Sequence, residues 1–419
     1  MSKIFNKRSF RINFSWLIFD KFFRASLNIL LSIILARSLG PEDFGILSYI
    51  LALVFLFTAI SALGINPILT NKIIKDKKSE NHVILINSYY LRFLASLICY
   101  CLFIFLINFS ESENKYFLYS LILGSLIVLK SYEVLFSYFE AKSLSKYIVL
   151  SQLLGLIISF LLIIYFVYYN FNSIYIYFSL AFDAVVVFFS INTIYFLKKK
   201  KYLTLINLKI LKKTISKSFP LLISTISIIL YMRIDQIMIK IMIDEYSLGI
   251  YSVSVRFVEI FHFIPKIIII SILPIILISR RYKLELLRLN SIIFKISLLI
   301  VFFIFFSSDL LIEILYGKNY NESTITTKIL SFSILFVFYG VVNEHWYISK
   351  NLQKYYAISV FFGAMSNIIL NYLLIRQIGL IGAAYSTLIT YFLIIFVFDY
   401  FNNKTRKLLK IKYESIIKL

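Results

Sequence analysis

The sequence has few of the residues on which most catalytic and metal sites depend. Its 419 residues include two cysteines, three histidines and only 21 acidic side chains. Cys99 and Cys101 are two residues apart, so on one helix they point to different faces and cannot bond to each other. The histidines are too scattered for a metal site, and no phosphate-binding glycine loop, zinc-ligand spacing or Ser/His/Asp set is found. We therefore predict no catalytic residue, no bound metal and no cofactor.

Long polar segments are missing as well. The longest predicted loop, residues 198–217, is too short to fold as a separate soluble domain. This argues against an ATP-driven pump and against a glycosyltransferase with a cytosolic catalytic domain, because both need a large water-soluble part.

What the chain has instead is hydrophobic sequence. It is 60% hydrophobic and has a mean hydropathy of +0.86, and apolar stretches of about 18 residues or more, enough to cross the ~30 Å hydrocarbon core, recur throughout. These features predict an all-α polytopic membrane protein. The stretch 247–278 is long for one span, and Pro265 and Pro274 are expected to bend it. About twelve membrane helices are predicted, at 14–36, 44–69, 83–108, 116–138, 147–168, 173–197, 218–242, 247–278, 290–307, 325–349, 356–375 and 380–401.

Basic residues outnumber acidic ones by 44 to 21, which gives a net charge of +23. The two ends of the chain and alternate loops hold 30 of the Lys and Arg residues, while the opposite loops hold four and the predicted spans hold ten. By the positive-inside rule, this placement predicts that both termini are cytoplasmic. The basic run 198–201 is expected to contact lipid headgroups, so membrane lipids, and not nucleic acid, are the predicted partners of the positive charge.

The chain divides near its middle into two halves that resemble each other. Residues 42–48 and 245–252 each follow the first helix of their half, and both place Gly-Ile-x-Ser after an acidic turn. Two halves that start on the same side of the membrane are parallel repeats related by a pseudo-two-fold axis along the membrane normal, and such transporters bind substrate between the repeats. The predicted parts are an N-terminal six-helix lobe (1–197), a basic cytoplasmic linker (198–217), a C-terminal six-helix lobe (218–401) and a basic cytoplasmic tail (402–419).

Charged side chains inside the predicted spans need an explanation. A charge at the centre of the hydrocarbon costs about 2.5–3.5 kcal/mol on insertion scales, so these groups must pair or face a polar interior. Ten are basic, and six are acidic besides Asp399 near the end of the last span, so pairing between helices, which is the structural alternative, cannot neutralise them all. The excess predicts a cationic cavity and an anionic cargo, for which the donor fork of arginine is suited. The residues are Lys21, Arg24, Arg92, Lys130, Arg233, Lys240, Arg256, Lys266, Lys295 and Lys328, with Asp20, Glu133, Asp183, Asp235, Glu259 and Glu344.

Helical spacing indicates which of these side chains lie together. Arg233, Gln236 and Lys240 follow one stripe of a helix, whereas Asp235 points the other way, towards a neighbouring helix. Asp183 and Glu344 are isolated in the sequence. Three pairs are within reach along a single helix, namely Arg256 with Glu259, Lys130 with Glu133, and Asp20 with Arg24.

Three stretches of the chain carry a family resemblance. They are 36–45 (Ala-Arg-Ser-Leu-Gly-Pro-Glu-Asp-Phe-Gly), 233–238 with 249–256 and on to Pro265, and 367–371 with 379–387. In order and spacing they resemble the polysaccharide-export flippases of the multidrug/oligosaccharidyl-lipid/polysaccharide (MOP) exporter superfamily, in particular the O-antigen (Wzx-type) flippases. The likeness runs the length of the chain, and the second stretch is the most specific. One departure is Ile241 after Lys240, where the family pattern has a small residue such as glycine.

The resemblance implies a MATE-like fold whose two six-helix bundles rock between inward- and outward-open states. It also implies a flippase in the bacterial inner membrane that moves a polyprenyl-pyrophosphate-linked oligosaccharide, the repeat unit of O-antigen (in lipopolysaccharide biosynthesis) or of another surface polysaccharide. Glycan polymerase and chain-length machinery are candidate partners. The candidate substrate contacts are Arg24, Lys130, Arg233, Lys240 and Arg256, and the candidate supporting acids are Asp235 and Glu259. Coupling to H⁺ or Na⁺ through Glu133, Asp183 or Glu344 is left open.

Two other hypotheses stay open at this point. A MATE-like small-molecule antiporter would share the architecture, but it would favour an acidic cavity for cationic drugs, which the positive excess opposes. A membrane-embedded glycan polymerase or ligase would need a sizeable external loop with catalytic groups, and the longest external loop predicted here is 308–324.

Overall fold

The computed structural model describes residues 7–75, 80–111, 113–199, 206–278, 281–401 and 403–417, and the side chains of residues 7–21, Asp20 and Lys21 among them, lie outside this description. The described chain is mostly helical. Its helices are α1 (Lys7–Ser61), α2 (Asn66–Lys75), α3 (Glu80–Ser110), α4 (Asn114–Leu129), α5 (Glu133–Ala141), α6 (Ser145–Tyr168), α7 (Ser173–Lys199), α8 (Leu208–Met242), α9 (Glu245–Glu259), α10 (Phe263–Ile278), α11 (Tyr282–Tyr316), α12 (Ser323–Ser331), α13 (Ser333–Ser349), α14 (Gln353–Phe392), α15 (Phe398–Phe401) and α16 (Arg406–Ile417). Short 3₁₀ turns occupy Lys130–Tyr132, Ile260–His262 and Lys318–Tyr320, and a π-helical turn occupies Leu393–Val397.

The membrane helices agree with the predicted number. Eight described stretches are long and apolar enough to cross a membrane, and the bent pair α12–α13 makes a ninth. Two of the eight hold two spans each, because α1 breaks at Gly40 and α14 breaks at Gly379. α9 and α10 follow each other across the turn Ile260–His262, in the stretch predicted as one span. These helices are consistent with the twelve predicted spans, and the all-α polytopic fold is confirmed.

Glycine and proline cause the breaks in these long helices. Gly40 has φ 73° and Gly379 has φ 61°, in the left-handed region that glycine enters at little cost. Pro265 lacks a backbone N–H, and its ring opposes the carbonyl of the residue four positions earlier, Phe261. Phe261 lies in the 3₁₀ turn Ile260–His262, so this break lies where Pro265 predicts it.

The chain forms two compact units. The first unit comprises Met1–Leu31 and Ile50–Ile226, and the second comprises Ser32–Tyr49 and Ser227–Leu419. The lobe boundaries named above stay a prediction, and residues 32–49 group with the second unit. Many large apolar side chains are exposed, such as Phe109 at 86%. Such an outward apolar surface is what lipid requires of a membrane helix.

The two Gly-Ile-x-Ser motifs meet within the second unit. A Cβ added to Gly45 would lie 1.9 Å from the Glu245 carbonyl oxygen, and one added to Gly249 would lie 1.8 Å from the Pro41 carbonyl oxygen. The contact is reciprocal, since the glycine of each motif touches the turn that precedes the other, as a local two-fold axis requires. The structure therefore brings together the two copies that the sequence pattern paired.

The C-terminal residues are more ordered than a basic tail would be. Among residues 402–419, α16 packs against α11 and buries Leu408 and Lys412 completely. Leu408, Ile411, Lys412 and Ser415 are buried at helical spacing, so one face of α16 is part of the second unit. Burial lowers the pKa of the Lys412 ammonium, and the Asp399 carboxylate opposes that shift.

Candidate functional site

The candidate residues divide between the two units, and in each unit some of them lie at a helix break. Lys130 opens the 3₁₀ turn between α4 and α5, and Glu259 directly precedes the 3₁₀ turn between α9 and α10. Tight turns inside a longer helix often accompany functional sites. The first unit holds Arg24, Lys130, Glu133 and Asp183, and the second holds Arg233, Asp235, Lys240, Arg256 and Glu259.

In the first unit, Glu133 pairs with Arg92 of α3. Helical spacing predicted Lys130 as its partner instead. Arg92 Nη2 lies 2.6 Å from Glu133 Oε2, and the Arg92 side chain is 1% exposed. Arg92 is more deeply buried than Lys130. Leaving the Arg92 charge unpaired would therefore cost more free energy, which favours its pairing with Glu133. Lys130 instead lies over the ring of Phe55, with its Nζ 5.3 Å from the ring centroid.

Asp183, isolated in the sequence, has cationic neighbours in the fold. It lies on α7 against Gly155 of α6, where a Cβ would come within 2.4 Å of Asp183 Oδ1. Arg24 and Lys130 are the cations that act on its carboxylate. Oδ1 is buried and has no hydrogen-bond partner among the described side chains. A coupling role for this carboxylate stays a prediction.

In the second unit, α8 and α9 are joined by an ion pair between Arg233 and Glu259. Arg233 Nη2 lies 3.1 Å from Glu259 Oε2, and the two side chains are 18% and 26% exposed. Asp235 points away from this pair, as helical spacing predicts. Its carboxylate accepts hydrogen bonds from Tyr251 Oη at 2.7 Å and from Thr387 Oγ1 at 3.4 Å.

The other two candidate cations of the second unit, Lys240 and Arg256, differ in their surroundings. Lys240 Nζ lies 3.8 Å from Glu245 Oε1, across the turn that joins α8 to α9. Arg256 was expected to pair with Glu259, but the Glu259 carboxylate pairs with Arg233 instead. The guanidinium of Arg256 lies 4.6 Å from the ring centroid of Phe44, a cation–π contact. It makes no ion pair or hydrogen bond with the described part of the chain, so its donors are available to a ligand.

A small cavity lined by both polar and apolar side chains lies within the second unit, beside Asp235 and Glu259. Its volume is about 30 Å³, which is room for about two water molecules. Tyr231, Thr387 and Tyr391 also line it. These neighbours, and the pairing of Arg92 with Glu133, could not be predicted from the sequence, because the partners come from helices far apart in the chain. The only signal was the stretch 379–387, which carries Thr387 and belongs to the family resemblance.

The candidate cations differ in whether a carboxylate already pairs with them. Ion pairs neutralise Arg92, Arg233 and Lys240, while Arg24, Lys130 and Arg256 have no ion pair within the described residues. Within the second unit, Arg256 lies in a membrane helix beside an aromatic ring, so it can bind an anion without first breaking a strong protein contact. Such a guanidinium can recognise a phosphate group.

A family model described as polysaccharide biosynthesis protein matches residues 10–278. The chain belongs to this family. Among curated proteins it is similar to the capsular polysaccharide biosynthesis protein CapF of Staphylococcus aureus, with 26% identity over 408 residues, 93% of this chain and 98% of that protein. It is also similar to an uncharacterized membrane protein of Methanocaldococcus jannaschii, with 27% identity over 406 residues, 90% of this chain and 93% of that protein.

Solved structures give the fold. The lipid II flippase MurJ in an inward closed conformation matches with a TM-score of 0.74 and 19% identity, over 97% of this chain and 91% of that one. An inward-facing multidrug resistance MATE family transporter of the MOP superfamily matches with a TM-score of 0.72 and 15% identity, over 92% and 94%. The MATE-like fold implied by the resemblance is therefore confirmed.

Proposed function

We propose that this protein is a flippase that moves a polyprenyl-pyrophosphate-linked oligosaccharide, the repeat unit of a surface polysaccharide such as O-antigen or capsule, across the bacterial inner membrane by alternating access. The observation that carries the proposal is Arg256, whose guanidinium stays in a membrane helix without an ion pair in the described chain. Membership of the polysaccharide biosynthesis family supports the cargo class.

The physical need for such a protein is simple. Sugar hydroxyls and a pyrophosphate cannot cross hydrocarbon unaided, because each unsatisfied polar group costs several kcal/mol there. Arg256, Arg24 and Lys130 supply positive charge to offset the loss of hydration of the pyrophosphate. Arg233 and Lys240 can join them when Glu259 and Glu245 release them. The prenyl chain remains in lipid, where it needs no protein partner.

The same proposal includes the topology and the partners. Both termini lie in the cytoplasm, so the cargo enters from the side that carries most of the basic residues. The two lobes, 1–197 and 218–401, move against each other during the cycle. Polymerase and chain-length proteins receive the cargo on the other side.

The test combines gene deletion with point variants. Cells without the gene should accumulate complete lipid-linked oligosaccharide that faces the cytoplasm, and they should lose surface polysaccharide. Arg256→Ala should reduce surface polysaccharide by at least about tenfold, equivalent to ~1.4 kcal/mol of lost stabilisation, while Arg256→Lys should keep part of it. Protein level in the membrane is measured in parallel.

Arg288→Ala is the matched control, since Arg288 is 65% exposed and, within the described chain, pairs with its helical neighbour Glu285 at 3.7 Å. It should leave polysaccharide unchanged. Complete units that reach the outer leaflet without polymerising would instead favour the polymerase or ligase hypothesis. Normal polysaccharide from Arg256→Ala would remove Arg256 from the site.

A further inference from the structure

The helix α16 has an outward face that the proposed cargo site does not use. Its inner face is buried in the second unit, where the helix packs against α11 and α15. At the helical period of about 3.6 residues per turn, the opposite face carries side chains that are exposed or half-buried. They include Arg406, Lys407, Lys410, Tyr413 and Glu414. Three cations and one acid make this face basic.

The three cations of this face have no carboxylate partner in the described chain. Arg406 donates through Nε and Nη2 to the Tyr400 carbonyl at 3.2 Å, and its guanidinium lies 5.7 Å from the ring centroid of Tyr400. Lys407 and Lys410 make no ion pair or hydrogen bond with any described residue. Arg406 and Lys410 are four residues apart and so lie side by side on the helix, where both can reach the same anion.

Exposed aromatic side chains accompany these cations. Tyr400 and Phe401, in the last turn before α16, are 58% and 77% exposed, and Tyr413 on α16 itself is 65% exposed. Basic groups beside outward aromatic rings are typical of helices that lie at the boundary between lipid and water. A lipid suits such a surface, because its phosphate needs cations and its chains need apolar contact.

Buried contacts fix the direction in which the basic face points. Lys412 Nζ lies 2.6 Å from Asp399 Oδ2, and Ser415 Oγ lies 3.1 Å from Tyr339 Oη. Both contacts are on the inner face of α16, so the helix is held in one orientation by the protein itself. A ligand that binds to a surface already in place loses less free energy in ordering it.

We propose that the outward face of α16, with Arg406, Lys407, Lys410 and Tyr413, binds the phosphodiester headgroup of an anionic glycerophospholipid. Charge complementarity favours this occupant, because a zwitterionic headgroup brings a cation of its own to a face that is already basic. The distribution of Lys and Arg predicts that this end of the chain is cytoplasmic, the side on which basic segments next to a membrane helix meet anionic lipid. The inference stands apart from the proposed function, because it concerns a resident lipid and not the cargo.

The first test measures lipid selectivity. Purified protein in detergent is titrated with phosphatidylglycerol, which is anionic, or with phosphatidylcholine, which is zwitterionic, and native mass spectrometry gives the affinity for each. Wild-type protein should bind phosphatidylglycerol at least about tenfold more tightly, since each basic group near an anionic surface contributes about fivefold. The triple variant Arg406→Gln, Lys407→Gln and Lys410→Gln should lose most of this preference. The double variant Lys407→Arg and Lys410→Arg should keep it, because the charge is unchanged.

The matched control removes three basic residues from the loops predicted to be external, Lys115→Gln, Lys318→Gln and Arg376→Gln. It lowers the net charge by the same amount and should keep the preference. Hydrogen exchange then locates the lipid on the chain. In wild-type protein, the peptide 403–415 should exchange about threefold more slowly in nanodiscs that contain phosphatidylglycerol than in phosphatidylcholine alone, because a bound ligand stabilises the state it binds. The triple variant should exchange equally in both.

Four results would overturn the proposal. Equal affinity of the wild-type protein for the two lipids excludes the site, whether or not the variants fold. A preference that survives at full size in the triple variant assigns the lipid to other basic residues. An equal loss in the control variant reduces the effect to net charge. Displacement of phosphatidylglycerol by inorganic pyrophosphate, or by a farnesyl-linked pyrophosphate sugar, shows that the face binds a free anion or the cargo instead of a resident lipid.

Discussion

Two ion pairs of the second unit are built from similar groups but differ in how completely they are enclosed. Lys412 and Asp399 are both 0% exposed, and Lys412 Nζ lies 2.6 Å from Asp399 Oδ2. Lys412 also donates to the Ile395 carbonyl in the π-helical turn, and Tyr347 Oη donates to the other oxygen of Asp399. Arg233 and Glu259 lie 3.1 Å apart and stay partly exposed.

The difference separates a structural ion pair from one available to a ligand. Around Asp399 both carboxylate oxygens are used, and the wider π-helical turn provides a carbonyl for the ammonium. Beside Glu259 lie a small cavity, the His262 Nε2, which has no hydrogen-bond partner among the described residues, and Arg256 without a described counter-ion. Enclosure and satisfied partners hold α16 in place, whereas unused donors near water allow exchange of partners.

The largest effect on stability is expected at Lys412. Lys412→Met should lower the free energy of unfolding by about 3–5 kcal/mol, because it leaves the Asp399 charge buried without a cation. Thermal and denaturant unfolding of the purified protein in detergent measure the change. The double variant Lys412→Met with Asp399→Asn should recover most of the loss, since the amide removes the charge and still accepts from Tyr347. A single variant as stable as wild type would mean that α16 is not anchored by this pair.

A smaller loss is expected at Arg92 in the first unit. Arg92 is 1% exposed, but its partner Glu133 is 32% exposed, so the carboxylate left by Arg92→Met is less enclosed than that of Asp399. The expected cost is about 1–3 kcal/mol, the usual range for a polar group that loses its partner. The exposed pair Lys115–Glu113 provides the control, and Lys115→Met should change stability by less than about 0.5 kcal/mol. An Arg92→Met loss as large as that of Lys412→Met would contradict the link between enclosure and cost.

The membrane helices could be predicted from the sequence because each must be apolar over its own length. The breaks at Gly40 and Gly379 fall between predicted spans, and the break before Pro265 follows from the chemistry of that one residue. The helix α16 was predicted as a tail, because a lysine-rich segment such as this one is usually exposed. Lys412 is buried through its ion pair with Asp399, which the sequence does not reveal.

The partners within the site could not be predicted in the same way. The orientation of Asp235 follows from helical spacing, but its contact with Thr387 joins residues 152 positions apart. Arg256 is within reach of Glu259 on the same helix, but Glu259 forms its ion pair with Arg233 of α8. The cation that pairs with a carboxylate depends on burial and on the distance between helices, and the spacing along one helix contains neither.

The smallest loss of stability, with a large loss of function, is expected at Arg233. Arg233→Gln should lower the free energy of unfolding by no more than about 1 kcal/mol, since a partly exposed pair gains little net energy. It should nevertheless abolish surface polysaccharide at normal protein level, and Arg233→Lys should keep part of it, because lysine retains the charge but not the donor fork. Unfolding and polysaccharide are measured on the same variants.

Glu259→Gln tests the same ion pair from its acidic side. It removes the partner of Arg233 but keeps Arg233 itself, so it should leave stability within about 1 kcal/mol of wild type. The variant should also bind a pyrophosphate diester that carries a farnesyl group and one sugar more tightly than wild type does. If both variants destabilised the protein as much as Lys412→Met, the Arg233–Glu259 pair would be a clamp between α8 and α9. The contrast between the two ion pairs would then fail, because enclosure would no longer distinguish a structural pair from one that serves a ligand.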